Sequence, residues 1–189
     1  MTPPGKSEWL NWPNALTLSR VAIGALCLAP LATASPGALT IVFVLMVVAE
    51  LTDFFDGMVA RATGSVTDVG KILDPMADSM YRLIIFAAFV QNGWMPAWLM
   101  AVFLVRDVGV SYCRIIATSR NQPVAARFSG KAKAVVQGVA QLFVVGVAAF
   151  QLTALQTLAS PLLYLAAAVT AFSLFDYAAA MLSPKPKAG

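Results

Sequence analysis

Asp53-Phe54-Phe55-Asp56-Gly57-Met58-Val59-Ala60-Arg61, and eight residues later Gly70-Lys71-Ile72-Leu73-Asp74-Pro75-Met76-Ala77-Asp78, put four carboxylates at the meeting point of two apolar segments. Asp53 and Asp56 close one segment; Asp74 and Asp78 open the next. Carboxylates at or below a membrane surface are costly unless something positive holds them. A divalent metal site answers that cost.

The surrounding chain is apolar enough for a bilayer. Its 189 residues are 59% hydrophobic and only 12% charged, with a mean hydropathy of +0.77. A soluble domain carries about 25% charge. One all-α, polytopic membrane domain over residues 1–189 is therefore expected. Residues 1–14 form a short interfacial arm, 15–183 a six-helix bundle and 184–189 a tail. Met1 to Trp12 lacks the apolar core and cleavage site of a signal peptide. Trp9 and Trp12 suit the headgroup level.

The chain contains no histidine. Histidine-based triads, histidine–zinc sites and histidine proton relays are excluded together. Cys27 and Cys113 lie far apart in apolar surroundings and read as reduced core residues. Basic residues fall between spans and do not cluster with aromatics, so nucleic acid is not expected as a partner.

Six apolar segments run roughly over 15–31, 38–61, 67–90, 96–117, 131–151 and 158–181. Pro36-Gly37, Asn92-Gly93, Gln122-Pro123 and Ser160-Pro161 punctuate them. The connections near 34–37, 91–97 and 151–161 carry no Lys or Arg. The others hold Lys6, Arg61, Lys71, Arg120, Arg127, Lys131 and Lys133, and the tail holds Lys185 and Lys187. Alternation of this kind places both termini in the cytoplasm and the protein in the inner (cytoplasmic) membrane. Asp53 would lie about 22 Å along the second helix, and Asp74 and Asp78 roughly 10 and 16 Å into the third. The two pairs meet at similar depth in a pocket open to the cytoplasm.

Asp53 and Asp56 are spaced i,i+3, and Asp74 and Asp78 i,i+4, so each pair shares a helix face. Two antiparallel helices can point all four at one volume. Oxygen ligands without His or Cys favour Mg²⁺, Mn²⁺ or Ca²⁺ over zinc. Four such ligands can hold two ions, an arrangement suited to phosphoryl transfer. Gly57 and Gly70 would clear space for a nucleotide, Ala60 would keep its turn narrow, and Arg61 could pair with a diphosphate. Taken singly, the glycines also read as packing residues, and Arg61 and Lys71 as positive-inside anchors.

Asp53-x-x-Asp56-Gly57-x-x-Ala60-Arg61, eight residues, then Gly70-x-x-x-Asp74-x-x-x-Asp78 resembles the complete signature of the CDP-alcohol phosphotransferases. The resemblance implies an integral membrane enzyme in which an acceptor hydroxyl displaces CMP from a CDP-linked lipid or alcohol. It implies two divalent cations, Mg²⁺ or Mn²⁺, on Asp53, Asp56, Asp74 and Asp78, with Asp78 also the general base. Gly57, Ala60, Arg61 and Gly70 would line the CDP site. It further implies a homodimer.

Within that family, Asn11-x-Pro13-Asn14-x-Leu16-Thr17-Leu18-x-Arg20 is similar to the phosphatidylglycerophosphate synthase branch. So are Arg106-Asp107 with Arg114, and Gly130-Lys131-x-Lys133-x-x-x-Gln137. Two positions depart from that branch: Asp107 stands where Glu is common, and Ser79 where Lys is common, a cation that Arg82 could partly replace. The branch implies CDP-diacylglycerol as donor, drawn from the lipid bilayer, and glycerol 3-phosphate as acceptor. Arg106, about 15 Å into the fourth helix, and Arg114, Lys131 and Lys133 would bind the acceptor phosphate. Lys131, Lys133 and Arg127 also read as positive-inside charges, and Arg106 as a partner of Asp107. Arg20 either approaches the site or anchors its helix. Asp176 reads as an interhelical polar contact. Two rivals remain: the same chemistry on inositol phosphate, inositol or serine, and a divalent-cation transporter.

Overall fold

The computed structural model describes residues 12–63, 68–119 and 127–182, with side chains at 14–52, 70, 73–116 and 127–180. The described residues are helical in six long segments: α1 (Trp12–Thr33), α2 (Pro36–Thr63), α3 (Asp68–Gln91), α4 (Ala97–Ser119), α5 (Phe128–Ala149) and α6 (Ala159–Leu182). A short 3₁₀ helix over Thr153–Leu158 precedes α6. Each expected apolar segment coincides with one helix to within a few residues. The largest shifts, three residues each, are at the starts of α1 and α5; α5 begins at Phe128 and so takes Gly130 onto the helix.

Local chemistry explains where the helices stop. Ala34, at φ +48°, turns the chain out of α1. Pro36 then starts α2, where its missing N–H costs nothing. After α3, Gly93 takes φ +70° and its N–H bonds back to the Val90 carbonyl. Only glycine enters that left-handed region without strain. Pro75 lies inside α3, directly after Asp74, and leaves the carbonyl four residues earlier without its helical donor.

Successive helices run in opposite directions. At one end of the bundle, the amide nitrogen of Asn92 donates to the Leu31 carbonyl at 2.9 Å. At that end Phe43 also meets Phe150 edge-on, and Trp98 tilts against Tyr164. At the other end, the first turns of α1, α3 and α5 gather with the last turns of α4 and α6 around a polar cavity. Helix α1 packs on α2 and α3; α5 packs on α2 and α6; α4 lies against α6 and α3.

The apolar core sits toward the end away from that cavity. Leu31, Val42, Met46, Ile85, Phe89, Leu99 and Leu163 are buried there. Phe86 and Phe103 stack with centroids 4.3 Å apart. The outer surface is also apolar: Leu26, Ile41, Val105, Ile115, Val135 and Phe175 are each more than half exposed. Polar side chains inside and apolar ones outside suit a lipid environment, whereas water would drive such a surface to associate.

Three described segments are long and apolar enough to cross a membrane: Asn14–Thr33, Phe128–Ala149 and Thr153–Ala180. Helices α3 and α4 carry Asp74, Asp78, Arg82, Arg106, Asp107 and Arg114, which lower their apolarity. The protein is an all-helical membrane protein. Cys27 is buried, Cys113 half-buried, and both are free thiols.

Candidate active site

A cavity of about 260 Å³ opens between α1, α3, α4, α5 and α6. Asp74 and Asp78 line it, one helical turn apart on α3, with Ser79 beside them. Arg20 reaches in from α1, Arg106 and Arg114 from α4, Arg127, Lys131 and Lys133 from the start of α5, and Tyr177 from α6. The acidic pair of α3 and all four basic residues expected around an acceptor phosphate thus share one volume.

Each charge has a specific environment. The Arg20 guanidinium donates to Asp74 Oδ1 at 2.5 Å, and the Thr17 hydroxyl approaches the same oxygen at 3.4 Å. Arg20 is therefore a residue of the site and no mere anchor. Asp107, 5% exposed, holds two cations. It accepts from Lys133 Nζ at 2.8 and 3.0 Å and from Arg106 Nη1 at 2.9 Å. Arg106 also donates to the Ser173 hydroxyl at 2.8 Å. Arg106 thus lines the cavity and also pairs with Asp107. Lys133 is almost fully buried, so it is no surface charge. Lys131 is exposed on the first turn of α5.

Arg127 caps the start of α5 and grips Asp176 through two nitrogens, at 2.6 and 2.5 Å. Those bonds hold its guanidinium above the ordinary arginine range. Ser129 donates to the same carboxylate. Asp176 is the interhelical contact expected of it. Arg127, Phe128, Ala132, Val169 and Phe172 also frame a shallower, more apolar hollow of about 520 Å³ on the α5–α6 surface.

Arg82 departs from its expected role as a replacement for the missing basic residue at position 79. It is 4% exposed and lies between two carboxylates, 3.2 Å from Asp78 Oδ1 and 3.1 Å from Glu50 Oε1. Gly138 makes room for this cluster: a Cβ there would come within 2.7 Å of Arg82 Nη1. The physical reason is depth. Arg82 lies a turn beyond Asp78, away from the helix start, and a cation there needs its own counter-ions.

The donor set fits hard divalent cations. Among the described residues, the contacts on Asp74 and Asp78 fall on Oδ1. That leaves Oδ2 of each available as an oxygen ligand, with no imidazole or thiolate to favour a softer metal. The side chains of Asp53, Asp56, Gly57, Ala60 and Arg61 lie outside the described residues. Gly70 is half-buried on the first turn of α3.

Glu50 was legible as an intramembrane acid one turn before Asp53, yet carried no motif. Tyr177 and Ser173 gave no sequence signal. Both sit in the most uniformly apolar helix, and only their contacts with α4 and α5 mark them.

The family model described as CDP-alcohol phosphatidyltransferase matches residues 10–181. A protein of Bacillus subtilis (strain 168) named CDP-diacylglycerol--glycerol-3-phosphate 3-phosphatidyltransferase is 32% identical over 142 residues, covering 69% of this chain and 74% of that one. A Shigella flexneri serotype 5b protein of the same name is 32% identical over 175 residues, 84% of this chain and 94% of its own. A Mycobacterium tuberculosis H37Rv protein named probable phosphatidylglycerophosphate synthase is 31% identical over 139 residues, 72% of this chain and 66% of its own. With nearly its whole length matched, this chain belongs to the CDP-alcohol phosphatidyltransferase family.

Proposed function

We propose that the protein transfers the phosphatidyl group of CDP-diacylglycerol to the hydroxyl of sn-glycerol 3-phosphate, releasing CMP. The cavity that joins Asp74 and Asp78 to a dense set of basic side chains carries this reading. An uncharged alcohol has no use for Arg106, Arg114, Lys131 and Lys133, whereas a phosphomonoester does. The names of the relatives point to the same donor and acceptor.

Asp78 accepts the proton of the attacking hydroxyl. The hydroxyl oxygen forms a bond to the phosphorus of the phosphatidyl group, and the bond from that phosphorus to the CMP oxygen breaks. No covalent enzyme intermediate is needed. Arg82, locked to Glu50, keeps Asp78 oriented. Arg106, Arg114, Lys131 and Lys133 hold the acceptor phosphate; Gly57, Ala60, Arg61 and Gly70 line the CDP site. Two divalent cations, Mg²⁺ or Mn²⁺, held by Asp53, Asp56, Asp74 and Asp78, would offset the charge that develops on the diphosphate. Arg20 fixes Asp74 for that task.

The six helices each span the inner (cytoplasmic) membrane, with both termini and the cavity on the cytoplasmic side, and the protein is a homodimer. The diacyl tails of the donor remain in the bilayer. An acceptor screen tests the activity. Purified protein with CDP-diacylglycerol and Mg²⁺ or Mn²⁺ should release CMP with glycerol 3-phosphate. CMP release with inositol, inositol phosphate or serine, and none with glycerol 3-phosphate, would refute it.

A further inference from the structure

Tyr177 ties the basic half of the cavity together. It is 1% exposed and lines the cavity from the end of α6. Its ring centre lies 5.6 Å from Arg106 Cζ and 5.3 Å from Arg114 Cζ. One aromatic face system therefore steadies two guanidiniums that stand two turns apart on α4. Its hydroxyl oxygen accepts from Arg114 Nη2 at 2.8 Å and from the Arg127 backbone N–H at 3.1 Å.

A phenol offers one O–H donor besides its acceptor lone pairs. With two donors already on the oxygen, the proton must point away from both. Among the described residues no acceptor meets it, and the neighbouring carboxylate of Asp176 is engaged by Arg127 and Ser129. Tyr177 and Gly130 both line the cavity. A Cβ at Gly130 would sit 3.1 Å from the hydroxyl and 3.3 Å from Arg106 Nη2. Among the described residues, Arg20, Arg106, Arg114, Arg127, Lys131 and Lys133 outnumber Asp74, Asp78, Asp107 and Asp176 in and against the cavity wall.

We propose that Tyr177 is a binding residue for a phosphate monoester: its O–H donates to a phosphate oxygen, while its ring and hydroxyl oxygen hold Arg106 and Arg114 around the same group. This rests on the cavity being the acceptor site, and it adds a neutral, directional donor that rewards a phosphate over a plain hydroxyl. The other candidate source of phosphate oxygens is the diphosphate of the donor lipid, which the test separates.

Tyr177→Phe keeps the ring and removes the O–H. The KM for glycerol 3-phosphate should rise about tenfold, the size of one hydrogen bond to a charged group. The inhibition constant for inorganic phosphate should rise with it. The kcat at saturating acceptor should fall far less, and the KM for CDP-diacylglycerol should stay within about twofold. A loss of folded enzyme lowers kcat and leaves KM alone, so a purely structural role for Tyr177 does not reproduce this pattern. Gly130→Ala, which crowds the hydroxyl and Arg106, should move the same KM in the same direction. An unchanged KM for glycerol 3-phosphate in Tyr177→Phe overturns the proposal. So does a raised KM for CDP-diacylglycerol alone, which would give the hydroxyl to the donor. Wild-type turnover of glycerol 3-phosphate, measured alongside, tells failure of this assignment from failure of the activity itself.

Discussion

At the scale of single residues, the site is a set of charges whose partners decide their use. Asp78, the proposed general base, has one oxygen on Arg82, and among the described residues the other is open. Asp78→Asn keeps the shape and removes the base. The kcat for CMP release should fall by about 10³-fold; an activity within tenfold of wild type would remove Asp78 from the proton-transfer role. Asp107 is different, since it touches no expected substrate group. It neutralises Lys133 and Arg106 in a nearly dry setting. Asp107→Asn strands two buried cations, and the loss should be about 3–5 kcal/mol of stability. Thermal unfolding in detergent measures this, and an unchanged midpoint would show that water reaches both cations.

At the scale of elements, the arrangement depends on how α2, α3 and α5 approach one another. Glu50 on α2 and Arg82 on α3 form a strap one turn beyond the acidic pairs of the two helices. Gly138 on α5 allows that strap to lie flat between them. The guanidinium is held on two sides, so it cannot swing away from an added methyl group without breaking an ion pair. Gly138→Ala should destabilise the protein by about 1–3 kcal/mol and lower kcat. Gly37→Ala, where nothing lies within 4 Å of the added carbon, should be neutral or slightly stabilising. Equal melting shifts for the two variants would contradict this account of α5. Gly146 repeats the device at the far end, where a Cβ would meet the Phe43 ring at 3.0 Å.

At the scale of the whole molecule, the bundle is polar at one end and apolar on its outside. The alternation of basic and uncharged connections predicts which loops face which side. In a background carrying Cys27→Ala and Cys113→Ala, Asn92→Cys and Gln151→Cys should react with a membrane-impermeant thiol reagent only from the face opposite Arg120→Cys. Labelling of all three from one side would refute six spans. Metal removal is a second test at this scale. A chelator should abolish CMP release and added Mg²⁺ or Mn²⁺ should restore it; full activity in chelator would exclude the carboxylates as metal ligands.

Composition, apolar runs and turn residues by themselves determined the helical class, the number of helices and nearly all their limits. These are local properties: twenty or so apolar residues between a proline or glycine and a charge have few other ways to satisfy their backbone in lipid. The spacing of Asp74 and Asp78 likewise put two carboxylates on one face of a single helix, and the resemblance to the family came from the whole signature between Asp53 and Asp78. Tertiary structure alone decided which charges meet. Arg106 and Lys133 were expected beside a phosphate, but that they also share Asp107 became visible only once α4 and α5 were brought together. Arg82 looked like a substitute for a neighbouring cation until α2 supplied Glu50. Tyr177 was one more aromatic in an apolar helix until α4 set two guanidiniums against its ring. A charge in a low-dielectric interior is defined by its nearest partner across the bundle, and no spacing along one chain segment encodes that partner.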